Sequence, residues 1–180
     1  MEALDCIKSR RSVRTFNEKT IANDILEKIV DFARFSPSWK NGQIARYNFV
    51  TDKAVIEKLA TESTMGFDHN KEIMLGAPSV LVLSYITGRT GYERDGSFTT
   101  SKGDAWEMFD AGIAAQTFCL VAHEQKLGTV IMGIFDEQKV ADIISLPQGE
   151  KVGALIALGY YDTMPDAPNR KEPADLMRII

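Results

Sequence analysis

"DAWEMFDAGIAAQTFCLVAHEQKLG", residues 104–128, is the stretch whose reading decides the fold. Apolar residues run almost all the way round a helical projection of it. The helix it predicts is therefore central and buried on several sides, not a surface helix with one wet face. Asp104 is placed to cap its start and Gly128 to stop its end. Ala111, Gly112, Ala114 and Ala115 are small enough to let another helix, or another subunit, come close.

The elements on either side follow from periodicity. Downstream, "TVIM" (129–132) reads as a short strand and "DEQKVADII" (136–144) as a helix capped by Asp136. "KVGALIALGY" (151–160) reads as a buried strand. The tail from Tyr161 carries Pro165, Pro168 and Pro173 and cannot be regular throughout; its apolar end is expected to pack on something. Upstream, "SVLVLSYI" (79–86) is apolar and β-branched, a buried strand. "NKEIMLGA" (70–77) and "AVIEKLATES" (54–63) read as helices, and "RYNFVT" (46–51) as a strand with Tyr47, Phe49 and Thr51 on one face. "NDILEKIVDFARFSPS" (23–38) is an amphipathic helix with Ile25, Leu26, Ile29, Val30 and Ala33 inward, stopped before Pro37. Residues 2–9 make a first short helix with Leu4 and Ile7 on one face. Residues 87–103, polar and holding four glycines, read as a loop or lid. Helices and strands interleave irregularly. The expectation is a single α+β domain over 1–180 with one buried central sheet.

Composition fits a globular chain of one domain: 180 residues, 44% hydrophobic and 26% charged, with a net charge of −4. That acidic balance disfavours wholesale nucleic-acid binding. Cys6 and Cys119 both sit in apolar surroundings and read as core thiols of a reducing compartment. The N-terminus does not look like a signal peptide, and the apolar runs are too short or interrupted to span a bilayer. A cytoplasmic protein is expected, with no membrane partner.

Four stretches carry candidate chemistry. In "SRRSVRTF" (9–16), an extended backbone puts Arg10, Ser12 and Arg14 on one face and Val13 on the other, with Arg11 sharing Val13's side. Two guanidinium forks flanking a hydroxyl suit a phosphate; they equally suit an exposed turn whose cations favour a helix C-terminus. "SPSWKNGQ" (36–43) is dense in hydrogen-bonding groups, which either meet a polar ring edge or close their own turn. "TVIMGIFD" (129–136) runs a strand into a glycine-containing turn. "NRKEP" (169–173) adds cations at Arg170 and Lys171, or is only a solvated tail. His69 and His123 lie far apart and show no metal-ligand spacing, so no metal site is expected; His123, near a helix end, reads as a surface residue. The sequence contains no Walker loop, no G-x-G-x-x-G and no nucleophile elbow. With no side chain advertising itself as nucleophile or general base, an enzyme here points to a borrowed reagent.

Taken in order, these stretches resemble the nitroreductase family of flavin-dependent oxidoreductases over essentially the full length. "RRSVRTF" is similar to that family's R-x-S-x-[RK] motif, and "SPSWKNGQ" to its A-P-S-x-x-N-x-Q motif. The long helix with its following turn, and the basic stretch before a proline, also match. The resemblance implies an α-β-α sandwich with a mostly antiparallel sheet, in an intertwined homodimer with FMN at the subunit interface and residues 160–180 packing on the partner. It implies phosphate, ribityl and ring-edge contacts from Arg10, Ser12 and Arg14, with Arg11 beside them. Pro37, Ser38, Trp39 and Asn41 would reach the partner's flavin. Asn70 matches a ring contact, Ile131, Met132 and Gly133 the turn facing flavin N5, and Arg170 and Lys171 a second phosphate clamp. The implied activity is hydride transfer from NADH or NADPH to a nitroaromatic, quinone or similar small acceptor, by ping-pong kinetics. Alternatives are a flavin-binding protein without turnover, or reductive dehalogenation. A nucleic-acid module built on "RRSVR" and "NRKEP" is disfavoured by the few basic residues. Ile44-Ala45 replaces a usual Pro-Trp, and Ile73 stands where many members carry a lysine.

Overall fold

The computed structural model describes residues 2–180; Met1, first residue of the expected span, lies outside the described residues. The elements in chain order are α1 (Ala3–Ser9), α2 (Asn23–Ala33), β1 (Ala45–Val50), α3 (Lys53–Glu62), α4 (Asp68–Leu75), β2 (Ser79–Ile86), α5 (Ala105–Glu124), β3 (Gly128–Met132), α6 (Glu137–Ile144), β4 (Glu150–Gly159) and α7 (Pro173–Leu176). The strands form one sheet in the order β1-β2-β4-β3, each pair antiparallel.

β2 shows why the sheet must be covered twice. Its side chains alternate, and both sets are apolar. Val80 and Val82 face a core shared with Ile56 and Leu59 of α3, Ile73 and Met74 of α4, and Val140 of α6. Leu81 and Leu83 face the other core, with Leu26 and Ile29 of α2 and Phe118 and Cys119 of α5. The result is a helix–sheet–helix sandwich with β2 and β4 at its centre. Tyr47 and Phe49 lie on one face of β1 as their spacing predicts, both packed on Phe118 with ring centroids 5.8 and 6.0 Å away.

The central helix is as expected, but two of its boundary residues act differently. Asp104 occupies the N-cap position in helical geometry and makes no capping bond. Gly128 does not stop the helix: α5 ends at Glu124, and Lys126 takes the left-handed conformation with φ 66°. Gly128 instead opens β3, where a Cβ would lie 2.6 Å from the Cβ of Val13. A glycine serves a left-handed cap and a close backbone approach alike, and here the second use applies. The small residues of α5 also divide. Ala111, Ala114 and Ala115 are buried within the chain, whereas Gly112 is exposed, with nothing within 4 Å of a Cβ built on it.

Candidate functional site

Helix α1 ends at Ser9 and the chain becomes extended at Arg10. It then runs beside the free edge of β3: Ser12 bridges Thr129 in parallel, and the Val13 N–H donates to the Thr129 carbonyl (3.0 Å). Val13 is 2% exposed and points into the core, as alternation requires. The parallel direction carries Arg14 toward Ile131 and the turn after it. The guanidinium of Arg10 has no hydrogen-bond or ion-pair partner among the described residues, and Arg14 donates only to its neighbour, the Ser12 carbonyl (3.1 Å). Arg11 leaves the strand alternation by hooking back onto the end of α1, donating to the Lys8 and Arg10 carbonyls (2.6 and 2.8 Å). Its Nε is buried without a partner.

At the end of β3, Ile131 and Gly133 are exposed while Met132 is buried. Asn70 is buried, and its amide donates to the Ile134 carbonyl (3.1 Å), tying α4 to this turn. Ile73 lies in the core beneath the sheet, so that helix position presents no cation to the turn.

His123, in the last turn of α5, is a correction to the surface role expected of it. It is buried, with Nε2 2.8 Å from Ser9 Oγ. Burial first, then Lys126 and Arg10, push its pKa below the ordinary 6.5. A neutral imidazole thus braces the turn that launches the arginine segment. Cys6 and Cys119 are free and buried, and burial raises both thiols.

The second predicted stretch stands elsewhere. After α2 the chain makes a 3-10 turn, Trp39–Asn41; Lys40 and Asn41 within it, and Gln43 just after it, have φ of 45°, 56° and 47°. Non-glycine residues persist there only when their surroundings over-determine them. The Trp39 N–H donates to both carboxylate oxygens of Asp110 (3.2 and 3.0 Å), and the Gln43 N–H to Ser38 Oγ (3.0 Å). Trp39 packs on Trp106, centroids 4.8 Å apart. Ile44 is fully buried behind the loop.

Residues 87–103 carry no helix or strand but are tied at several points. Glu107 accepts from the Gly88 N–H (2.6 Å), and Asp110 from the Thr90 hydroxyl (3.1 Å). A small turn closes through Glu93 N–H to Ser97 and Thr99 N–H to Gly91, with Tyr92 against Phe98. Burial raises the Glu107 carboxyl, opposed by its backbone hydrogen bonds. Sequence reasoning missed Glu107 and Asp110. A signal existed: two carboxylates on a helix that is apolar all round cannot both reach water.

Asp110 and His123 thus mark two ends of one helix, roughly 20 Å apart along its axis. Loop 36–43 sits at the first end, and the arginine segment with the 131–133 turn at the other. One chain does not bring them together. A 330 Å³ hollow takes in Pro37 and Ser38 along with Arg34, Arg46 and Asp110, but none of the residues 10–14. Arg170 and Lys171 lie in the exposed tail, Arg170 bonded only to neighbouring carbonyls. No group of three or more His, Cys, Asp or Glu among the described residues is arranged to hold a metal, and no helix there is long and apolar enough to cross a membrane.

Fold and site together define an α+β sandwich that lays a cationic segment along its edge strand. The chain belongs to the nitroreductase family, whose sequence profile matches residues 7–160. An NADH dehydrogenase of Thermus thermophilus is 27% identical over 183 residues, 89% of this chain and 87% of that one. The crystal structure of a nitroreductase family protein from Clostridium novyi NT matches with TM-score 0.77 at 27% identity, covering 92% of this chain and 89% of that one. A structure from Desulfovibrio desulfuricans, solved in complex with FMN, has TM-score 0.73 at 21% identity over 97% and 94%.

Proposed function

We propose that the protein is an FMN-dependent NAD(P)H oxidoreductase acting on a nitroaromatic, quinone or similar small acceptor, as a homodimer with flavin sites at the subunit interface. The observation that carries this reading is the Ser12–Thr129 bridge, which lays unpaired guanidinium groups beside the strand leading to the 131–133 turn. Family membership supports it, as do the FMN in the Desulfovibrio structure and the name of the Thermus relative.

The residues fit the group. Among the described residues Arg10 and Arg14 are cations without carboxylate partners, and Arg11 keeps a buried Nε unpartnered beside them. FMN, when bound, supplies hydride acceptance and donation at N5. Arg10 would hold the phosphate, Ser12 the ribityl chain, and Arg14 the ring edge, where its charge would favour the reduced flavin. Backbone N–H groups at Ile131, Met132 and Gly133 orient the ring, and Asn70 holds that turn in place. Donor and acceptor occupy one place in turn, so ping-pong kinetics are expected.

The other wall comes from the second copy. Leu4 and Ile7 of α1, Phe32 of α2, and Phe109 of α5 are exposed, and α1, α2 and α5 flank an open apolar groove of about 600 Å³. Such a face suits a subunit interface. Gly112 leaves room on it for a close approach. A twofold axis across α5 sets the start of one helix against the end of its partner. It thereby brings Pro37, Ser38, Trp39 and Asn41 to the partner's arginine segment. The tail is half-buried at Tyr160 and Tyr161, is exposed from Asp162 onward, and holds Met177, Ile179 and Ile180 near its end; it packs on the partner and presents Arg170 and Lys171 there. The 1–180 chain is one domain, and two buried thiols suit the cytoplasm.

Anaerobic titration of FMN-loaded protein with NADH and with NADPH tests the reading. Bleaching of the flavin by either nicotinamide, reversed by a quinone, is expected. Flavin that only dithionite bleaches contradicts reductase turnover and leaves a binding protein.

A further inference from the structure

Asp110 is 4% exposed, and its carboxylate has no cation in ion-pair range among the described residues. Its partners are all hydrogen-bond donors, and they come from two different segments. One is the Trp39 N–H, at the head of the loop that contains Lys40, Asn41 and Gln43 in left-handed conformations. The other is the hydroxyl of Thr90, itself 1% exposed, at the root of residues 87–103. Burying a carboxylate is costly unless it is fully hydrogen-bonded, so both segments are held to this one group.

Further contacts join the same two segments. Lys40 Nζ lies 3.6 Å from Glu93 Oε1, and Trp39 packs on Trp106, whose Nε1–H donates to Thr100 Oγ1 (2.9 Å). A side chain at Gly91 would run into the Gly103 carbonyl, so the two ends of the 87–103 segment are also pressed together.

We propose that Asp110 is a positioning residue that makes the 36–43 loop and the 87–103 segment a single body, so that 87–103 forms the acceptor-side wall of the flavin site reached by Ser38 and Asn41. This rests on the flavin reading above. In the dimer that wall belongs to the partner's flavin. It offers aromatic rings, Tyr92 and Phe98 with centroids 4.9 Å apart and planes tilted by 49°, and Phe98 more than half exposed, which suits a planar, electron-poor acceptor.

The test uses FMN-loaded wild type, Asp110→Ala, Asp110→Asn and Thr90→Val. Each is followed by amide exchange and by steady-state kinetics with a quinone. Asp110→Ala is expected to lose exchange protection at Trp39 and across 87–103 together. Its KM for the quinone should rise about tenfold or more, as for loss of hydrogen bonds to a charged group, with kcat changed much less. Asp110→Asn still accepts the Trp39 N–H and is expected to recover most of the KM. Thr90→Val is expected to free 87–103 alone and to raise KM while Trp39 stays protected. It carries the test should Asp110→Ala fail to fold. A lowered melting temperature with unchanged KM overturns the proposal, as does a Thr90→Val protein with unchanged exchange in 87–103. Wild-type protein that binds no FMN refutes the flavin reading. The exchange results then still decide whether Asp110 anchors both segments.

Discussion

At the scale of single residues, the arginine segment divides its labour by where each guanidinium can go. Arg11 is drawn back to the carbonyls that end α1, which leaves Arg10 and Arg14 facing outward. Arg10→Ala is therefore expected to weaken FMN binding by about 1.5–3 kcal/mol, as for a lost charge-assisted hydrogen bond; fluorescence titration of FMN measures it. His123 supplies a second test. Its folded pKa is depressed below 6.5, so the unfolded chain binds the extra proton first as pH falls. The stability that neutral His123 contributes is present above 6.5 and is lost as pH drops through the folded value. Glu107, whose carboxyl is raised, works in the opposite sense at lower pH. Urea midpoints at pH 7.5 and 5.5 should fall less for His123→Asn than for wild type. The surface reading of His123 failed because its burial depends on α1, which lies more than a hundred residues away in the chain. No local pattern around position 123 carries that contact.

At the scale of elements, the join between the arginine segment and β3 is set by one glycine. Val13 is packed so closely on Gly128 that the nearest atom is its Cβ, which no rotamer change can move. Gly128→Ala should cost about 1–3 kcal/mol through overpacking and lower flavin affinity by pushing residues 12–14 off the strand. Denaturant unfolding and FMN titration of the variant check both. The strands and helices were largely legible, because β2 is apolar on both faces and α5 is apolar all round; each pattern admits only a covered, central position. The candidate site stood out in the sequence only through its outward parts, where cations and small polar residues cluster. What could not be read were its supports. Asp110 and Glu107 act through loops that come to them in space, and a glycine's meaning depends on its neighbour across the sheet.

At the scale of the whole molecule, loop 36–43 and the arginine segment stand at opposite ends of α5, and the proposed dimer is what brings them together. Ile7 is 56% exposed in the single chain, so a charge there should cost the monomer little. Ile7→Asp is expected to shift the protein from dimer to monomer in light scattering, with its circular dichroism kept and its flavin lost together. A monomer that keeps its flavin would show that one chain suffices. The central claim is that this fold holds FMN, and the visible absorption spectrum tests it most directly. Protein mixed with FMN and then stripped of free flavin by gel filtration should elute yellow, as a dimer carrying flavin and chain in equal amounts. A colourless protein that takes up no FMN would contradict the account.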